Sequence, residues 1–270
     1  MRPASSLRSL LLSTALLLVL DPAVAGPERS TDSLASTGWE RSSWSLRRRA
    51  DRRFFRTENE YATHYITGYS AIPLPKRTGY YKNTLVSLNA VSYGITEHLR
   101  ISAALDLFSL LRWRPEGPVF NTALHVGGSV SDVVHLGVSA SYLNVRIPAG
   151  VEVPDEAEVP SGVMMGLATA TFGSTSNNLT VAVGWTHDGK EAGRGPVVNL
   201  SGAFRLVGDV MLITEHWGFF DEERNFLVHG LGVRFLGRDL AMDIGLMYDK
   251  EVTSLVTPIG LPFASATLNF

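Results

Sequence analysis

From residue 59 onward the chain is built of short segments in which apolar residues alternate with small or polar ones. No helical periodicity is sustained over three turns. A period of two marks a strand that faces two different environments. In 133–144, Val134, Leu136, Val138, Ala140 and Tyr142 alternate with His135, Gly137, Ser139 and Ser141. In 178–187, Leu179, Val181, Val183 and Trp185 alternate with Thr180, Ala182, Gly184 and Thr186. In 239–248, Leu240, Met242, Ile244, Leu246 and Tyr248 oppose Asp243 and Gly245. Twelve such segments are read, near 60–71, 83–95, 99–108, 118–130, 133–145, 162–173, 178–187, 196–206, 209–217, 226–236, 239–248 and 259–270. In 83–95 and 209–217 the apolar residues fall on both parities, so the pattern assigns no faces there.

The connections between these segments alternate in length. The short ones are Thr96-Glu97-His98, Ser131-Asp132, 174–177, Val207-Gly208 and Gly237-Arg238; the longer, polar ones are 72–82, 109–117, 146–161, 188–195, 218–225 and 249–258. A sandwich has no reason to lengthen every second connection. A transmembrane barrel does, because tight turns face the periplasm and longer loops face outside. The pattern therefore predicts an all-β fold, a transmembrane antiparallel up-and-down β-barrel of about 12 strands over 59–270. Its apolar stripe would meet hydrocarbon, and its stripe of Gly, Ser, Thr and Asn would meet water or packed interior. Lipid offers no partner to a backbone amide, so a spanning sheet closes on itself. A soluble lipocalin-like barrel would put the apolar stripe inside.

Two segments precede the barrel. Residues 1–25 have Arg2 and Arg8, an apolar stretch from Leu10 to Leu20, and Ala23-Val24-Ala25 as a small-x-small site, the layout of a secretory signal peptide. The apolar stretch is about half of the roughly 20 residues a spanning helix needs. Residues 26–58 form an Arg-rich leader, with seven arginines between Arg41 and Arg56. Residues 59–270 carry 14 Lys and Arg against 20 Asp and Glu, a net of −6, so leader and barrel attract. The leader reads as a disordered periplasmic tail, as a plug held in an acidic lumen, or as an arm on anionic lipid or peptidoglycan-associated partners. The chain of 270 residues has no Cys, so disulfides do not stabilise it. A net charge of −2 gives no argument for nucleic acid.

The final segment alternates Ala264, Ala266, Leu268 and Phe270 with Ser265, Thr267 and Asn269. An alternating strand closed by Phe, here with Leu268 and Phe270, resembles the signal that outer-membrane proteins show to the barrel-assembly machinery. The stretch Ser70-Ala71-Ile72-Pro73-Leu74-Pro75-Lys76-Arg77-Thr78-Gly79-Tyr80-Tyr81-Lys82-Asn83-Thr84, followed by Asn89-Ala90-Val91-Ser92-Tyr93-Gly94-Ile95-Thr96, resembles a recurring stretch in uncharacterised outer-membrane β-barrel proteins of Gram-negative bacteria. Pro196 to Gly202 and Gly232 to Phe235 are similar in style. The recurring stretch has glycine where this chain has Arg77. The resemblance implies a barrel in the outer membrane, in contact with its lipids and lipopolysaccharide, with both termini periplasmic. It implies no activity.

Candidate chemistry is sparse. Arg234 and Asp243 flank the Gly237-Arg238 turn and face inward by parity, which predicts an internal ion pair bracing the lumen or a selectivity element in a pore. Arg205 faces inward near the same end. His135 has Ser139 and Ser141 on its face, but Ser139 is about 13 Å away along the strand, beyond the contact a Ser–His pair needs. A cross-strand partner, such as a serine opposite His125, would be required. The acidic loop with Glu152, Asp155, Glu156 and Glu158 is a weak metal candidate and reads first as a solvated loop. No cofactor motif and no catalytic residue is assigned. The expected function is a passive narrow porin-like channel or a structural or surface barrel; the alternative is a lipid-modifying or lipid-hydrolysing enzyme.

Overall fold

A computed structural model describes residues 59, 61–111, 118–144, 162–187, 192–220, 225–237, 239–250 and 260–270. The strands are β1 (Gly79–Thr84), β2 (Leu88–Gly94), β3 (Leu99–Asp106), β4 (Phe120–Ser131), β5 (Val134–Asn144), β6 (Val163–Gly173), β7 (Asn177–His187), β8 (Ala192–Val207), β9 (Val210–Phe220), β10 (Asn225–Leu236), β11 (Leu240–Asp249) and β12 (Leu261–Asn269). One short helix, α1 (Leu107–Leu111), follows β3. Each strand pairs antiparallel with the next, and β1 closes on β12, giving an up-and-down barrel of twelve strands with no free edge.

The closing seam is a reciprocal pair of backbone bonds, Gly79 N–H to Phe270 O at 2.8 Å and Phe270 N–H to Gly79 O at 2.9 Å. Glycine is needed there, since a Cβ on residue 79 would lie 2.6 Å from the Phe270 ring and 2.8 Å from Ser92 O. These bonds, with Leu85 N–H to Ala264 O, point the even-numbered backbone groups of β12 toward β1. By that alternation the nitrogen of Pro262 faces a level that β1, ending at Thr84 opposite Ser265, does not reach. The proline therefore removes no ladder bond.

The alternating stripes sort as parity dictates. Leu136, Val138, Val181, Trp185, Leu231, Phe235 and Ile244 are exposed on the outer wall. Asn178, Thr180, Asn199, Ser201, Glu215, Arg234, Asp243, Ser265 and Thr267 are buried on the inner one. The exposed outer wall is thus mainly apolar, and the inner wall carries these polar residues.

Two readings of the sequence are corrected. Residues 60–71 are not the first strand; residues 61–74 run inside the barrel. Both parities are buried there, with Tyr61, Tyr65 and Thr67 beside Ala62, His64 and Ile66, because a segment enclosed on all sides has no solvent face for its alternation to report. Residues 83–95 are not one strand but end β1 and form β2, broken by the loop Leu85–Ser87. That loop has no Gly, Pro or Asn to announce it, and Leu85 (φ 50) and Val86 (φ 66) turn the chain in the left-handed region. The two shifts cancel, so twelve strands remain.

Candidate functional site: a barrel lumen occupied by its own chain

Inside the barrel, residues 63–70 fold back on themselves. Tyr65 N–H donates to Gly68 O at 2.9 Å, Ser70 N–H to Thr63 O at 3.2 Å, and the Ser70 hydroxyl to Ala62 O at 2.7 Å. Tyr61, Ala62, Tyr65, Ile66 and Ile72 join the inner residues of the β8–β12 wall, among them Met211, Ile213, Trp217, Phe219, Phe226 and Phe263, in one apolar cluster. This explains why 209–217 shows apolar residues on both parities: the inward stripe of β9 meets the internal segment, not water.

Polar anchors surround that cluster. Glu215, 2% exposed, receives the Ile66 and Thr67 amides on Oε2 at 2.8 Å each. Its Oε1 receives the Thr67 hydroxyl and the Trp217 indole N–H. On the opposite wall the Tyr65 hydroxyl donates to Asn178 Oδ1 at 2.5 Å and meets Thr180 Oγ1 at 2.5 Å. The Ala71 amide donates to Thr171 Oγ1 at 2.8 Å. Gly230 and Gly232 give Ile66 its space, a Cβ at Gly230 lying 3.0 Å from Ile66 Cδ1.

Two arginines hold the carbonyls on either side of His64. Arg100 Nη1 donates to Thr63 O at 3.1 Å, and Arg234 Nη2 to Tyr65 O at 3.4 Å. His64 is fully buried, stacks on Tyr80 with 4.2 Å between ring centres, and neither ring nitrogen has a hydrogen-bond partner. Burial first, then the positive charges of Arg234, Lys82 and Arg100, hold its pKa well below the ordinary histidine value, so the ring is neutral near pH 7.

Arg234 and Asp243 are register partners across β10 and β11 and form a two-pronged pair, Nε to Oδ1 at 2.5 Å and Nη2 to Oδ2 at 2.8 Å. Ser265 Oγ donates to Asp243 Oδ2 at 3.1 Å, and Lys82 Nζ lies 3.9 Å from the same oxygen. Arg205 does not join them. It is half-buried at the end of β8, where Nη1 donates to Gly208 O at 2.6 Å and sits 3.6 Å from Asp209, so it serves its own turn. Leu268 and Phe270 face outward and are exposed. Asp155, Glu156 and Glu158 lie outside the described residues, and among those described no three potential ligands gather for a metal.

The serines pair across strands, as a cross-strand arrangement requires. Ser129 Oγ is 2.7 Å from His135 Nδ1, and Ser139 stands opposite His125 in register. Among the described residues no carboxylate hydrogen-bonds to His135, whose Nε2 is buried without a partner. Sequence reading did not single out Glu215, His64, Arg100 or Lys82; the one available signal was Glu215, a lone charge in an otherwise apolar inner stripe. No protein-family model matches the chain, and no curated protein matches it either.

Proposed function

We propose that this protein is an integral outer-membrane β-barrel whose lumen is closed at rest by its own segment 61–74, a narrow channel that conducts only when that segment leaves its seat. The carrying observation is the pairing of an apolar outer wall with an inner wall fitted to the chain's own residues. Apolar side chains on the outer wall gain roughly 25 cal/mol per Å² on leaving water, and a closed ladder leaves no amide to face hydrocarbon. The secretory layout of 1–25 and the resemblance to Gram-negative outer-membrane barrels support the same location. In that membrane the short turns and both chain termini face the periplasm, and the longer loops face outside.

Barrels of about eight strands are filled by side chains, whereas 16–18 strands leave an aqueous channel. Twelve strands enclose more space than wall side chains fill, and here segment 61–74 takes it up. Its position therefore decides whether solute passes. Carbonate washing of envelopes and planar-bilayer recording test the two halves. Retention in the pellet, rare conductance in the wild type and frequent steps in Glu215→Gln are expected. Release into the carbonate supernatant refutes the location, and a silent, folded Glu215→Gln refutes the channel.

The second reading, a lipid hydrolase, draws on the 2.7 Å Ser129–His135 contact. Incubation with phospholipid and lipopolysaccharide, wild type against Ser129→Ala, decides it; the reading requires a product that the variant does not form.

A further inference from the structure

Between the internal segment and the β3–β6 wall lies a cleft lined on one side by Tyr69 to Leu74 and on the other by residues that include Arg100, His125 and Ser139. These three wall residues form a row across adjacent strands, Arg100 opposite His125 and His125 opposite Ser139. The Arg100 guanidinium carbon lies 4.5 Å from the centre of the Tyr69 ring, and Tyr69 meets His125 edge-on at 3.9 Å. Gly127 and Gly137 leave the floor without side chains, and His98 stands at the end of the cleft nearest the short turns.

The polar inventory is one-sided. Arg100 Nε and His125 Nε2 are buried and have no hydrogen-bond partner. No Asp or Glu lines the cleft. Arg100 spends one nitrogen on Thr63 O, and no carboxylate pairs with it among the described residues. A buried cation without an anion can only donate, and the hydroxyl and, in its Nε2–H tautomer, the ring nitrogen beside it can donate to the same acceptor. The cleft is half-open and has ≈ 30 Å³ of room for the centres of water-sized groups, more than the roughly 10–15 Å³ that a single water needs. A compact charged head fits it, with anything larger trailing toward His98.

We propose that this cleft binds an oxyanion head, a carboxylate or a phosphate, between Arg100, His125 and Ser139 of the wall and Tyr69 of the internal segment. The proposal goes beyond the channel reading and does not depend on it, since binding can be measured without a membrane. It adds a regulatory consequence: one wall of the site is the segment that closes the lumen, so an anion arriving from the short-turn end would favour the closed state by its differential affinity.

The test uses the full-length purified protein in detergent, with equilibrium dialysis against inorganic phosphate and against acetate at constant ionic strength. Arg100→Gln, Ser139→Ala and, at the rim, Arg205→Gln are compared, each checked for the folded gel mobility of the wild type. We expect saturable binding of one anion per chain, weakened at least about tenfold in Arg100→Gln, several-fold in Ser139→Ala, and unchanged in Arg205→Gln. Ser139→Ala keeps the proposal falsifiable should Arg100→Gln misfold, because among the described residues no hydrogen bond to the internal segment runs through that hydroxyl. Retention of phosphate alone or of acetate alone identifies the head. Binding that is undetectable, or equal in all four proteins, overturns the site.

Discussion

Replacing Glu215 with Gln keeps the shape of the side chain and removes its charge, so the variant isolates what the carboxylate does for segment 61–74. Three of its four donors belong to that segment: the amides of Ile66 and Thr67 and the Thr67 hydroxyl. A hydrogen bond to a charged group contributes about 1.5–3 kcal/mol net of desolvation, against about 0.5–1.5 kcal/mol for a neutral one. Losing roughly 1 kcal/mol on each of three bonds gives about 3 kcal/mol, or on the order of a hundredfold in the docking equilibrium. The Trp217 indole keeps an alternative acceptor in Thr67 Oγ1 at 3.0 Å, so the wall itself loses little. Hydrogen exchange reads the result directly. The Ile66 and Thr67 amides should exchange on the order of a hundredfold faster in the variant, while amides of the β10–β11 ladder keep their protection. Unchanged exchange at 66 and 67 in a folded variant would show that Glu215 is not what seats the segment, and the reasoning would fail.

Three further outcomes follow from the same geometry. His64 is held neutral, so the seated state binds fewer protons than the released one; seating is strongest above pH ~6.5 and weakens by up to about 1.4 kcal/mol per pH unit as pH falls below it. Amide exchange of residues 63–67 at pH 5 and pH 8 should show this in the wild type and not in His64→Gln; a variant with the same pH response would count against it. Arg234→Met leaves Asp243 buried without its main partner and should cost about 3–5 kcal/mol, whereas Arg234→Met with Asp243→Leu should recover most of that loss in urea unfolding. A double variant no better than the single would contradict the pairing argument. Val86→Gly relieves a left-handed branched residue (φ 66) and should gain about 0.5–1 kcal/mol, the relief of strain exceeding the entropy glycine adds to the unfolded chain. A lower unfolding midpoint would mean that the Val86 side chain contributes more than its backbone loses.

How much the sequence showed depended on what each wall faced. β5, β7 and β11 were legible because one stripe is apolar and the other small, so parity alone assigns them. β9 was not, since Met211, Ile213, Trp217 and Phe219 make its inner stripe as apolar as its outer one. Arg234 and Asp243 could be paired from parity and their distance to a short turn, because a two-strand hairpin converts sequence separation into register. Glu215 could not be matched with Ile66 and Thr67, about 150 residues away, since no local rule links a wall strand to a segment crossing the lumen. Arg77 is the instructive intermediate. The recurring stretch it interrupts has glycine there, and the residue adopts φ 63, the conformation in which glycine carries no strain.

The inner wall is shaped for one guest, and that limits how the open state of the proposed channel can look. Gly230 and Gly232 are small where Ile66 needs room, Thr171 and Thr180 are polar where Ala71 N–H and Tyr65 OH arrive, and Glu215 is an acceptor where two amides point. A lumen built for free passage of water would have no use for Met211, Ile213, Trp217, Phe219 and Phe226 on its inner face. Baring those side chains to water forfeits about 1.5–3 kcal/mol for each one fully exposed, and burial of Tyr61, Tyr65 and Ile66 is lost with it. Release of the segment is therefore opposed by apolar area as well as by Glu215, so weakening the carboxylate alone should raise the frequency of openings without making the open state the stable one. Long-lived full conductance in Glu215→Gln would mean that the apolar contacts between segment and wall hold far less than their area implies.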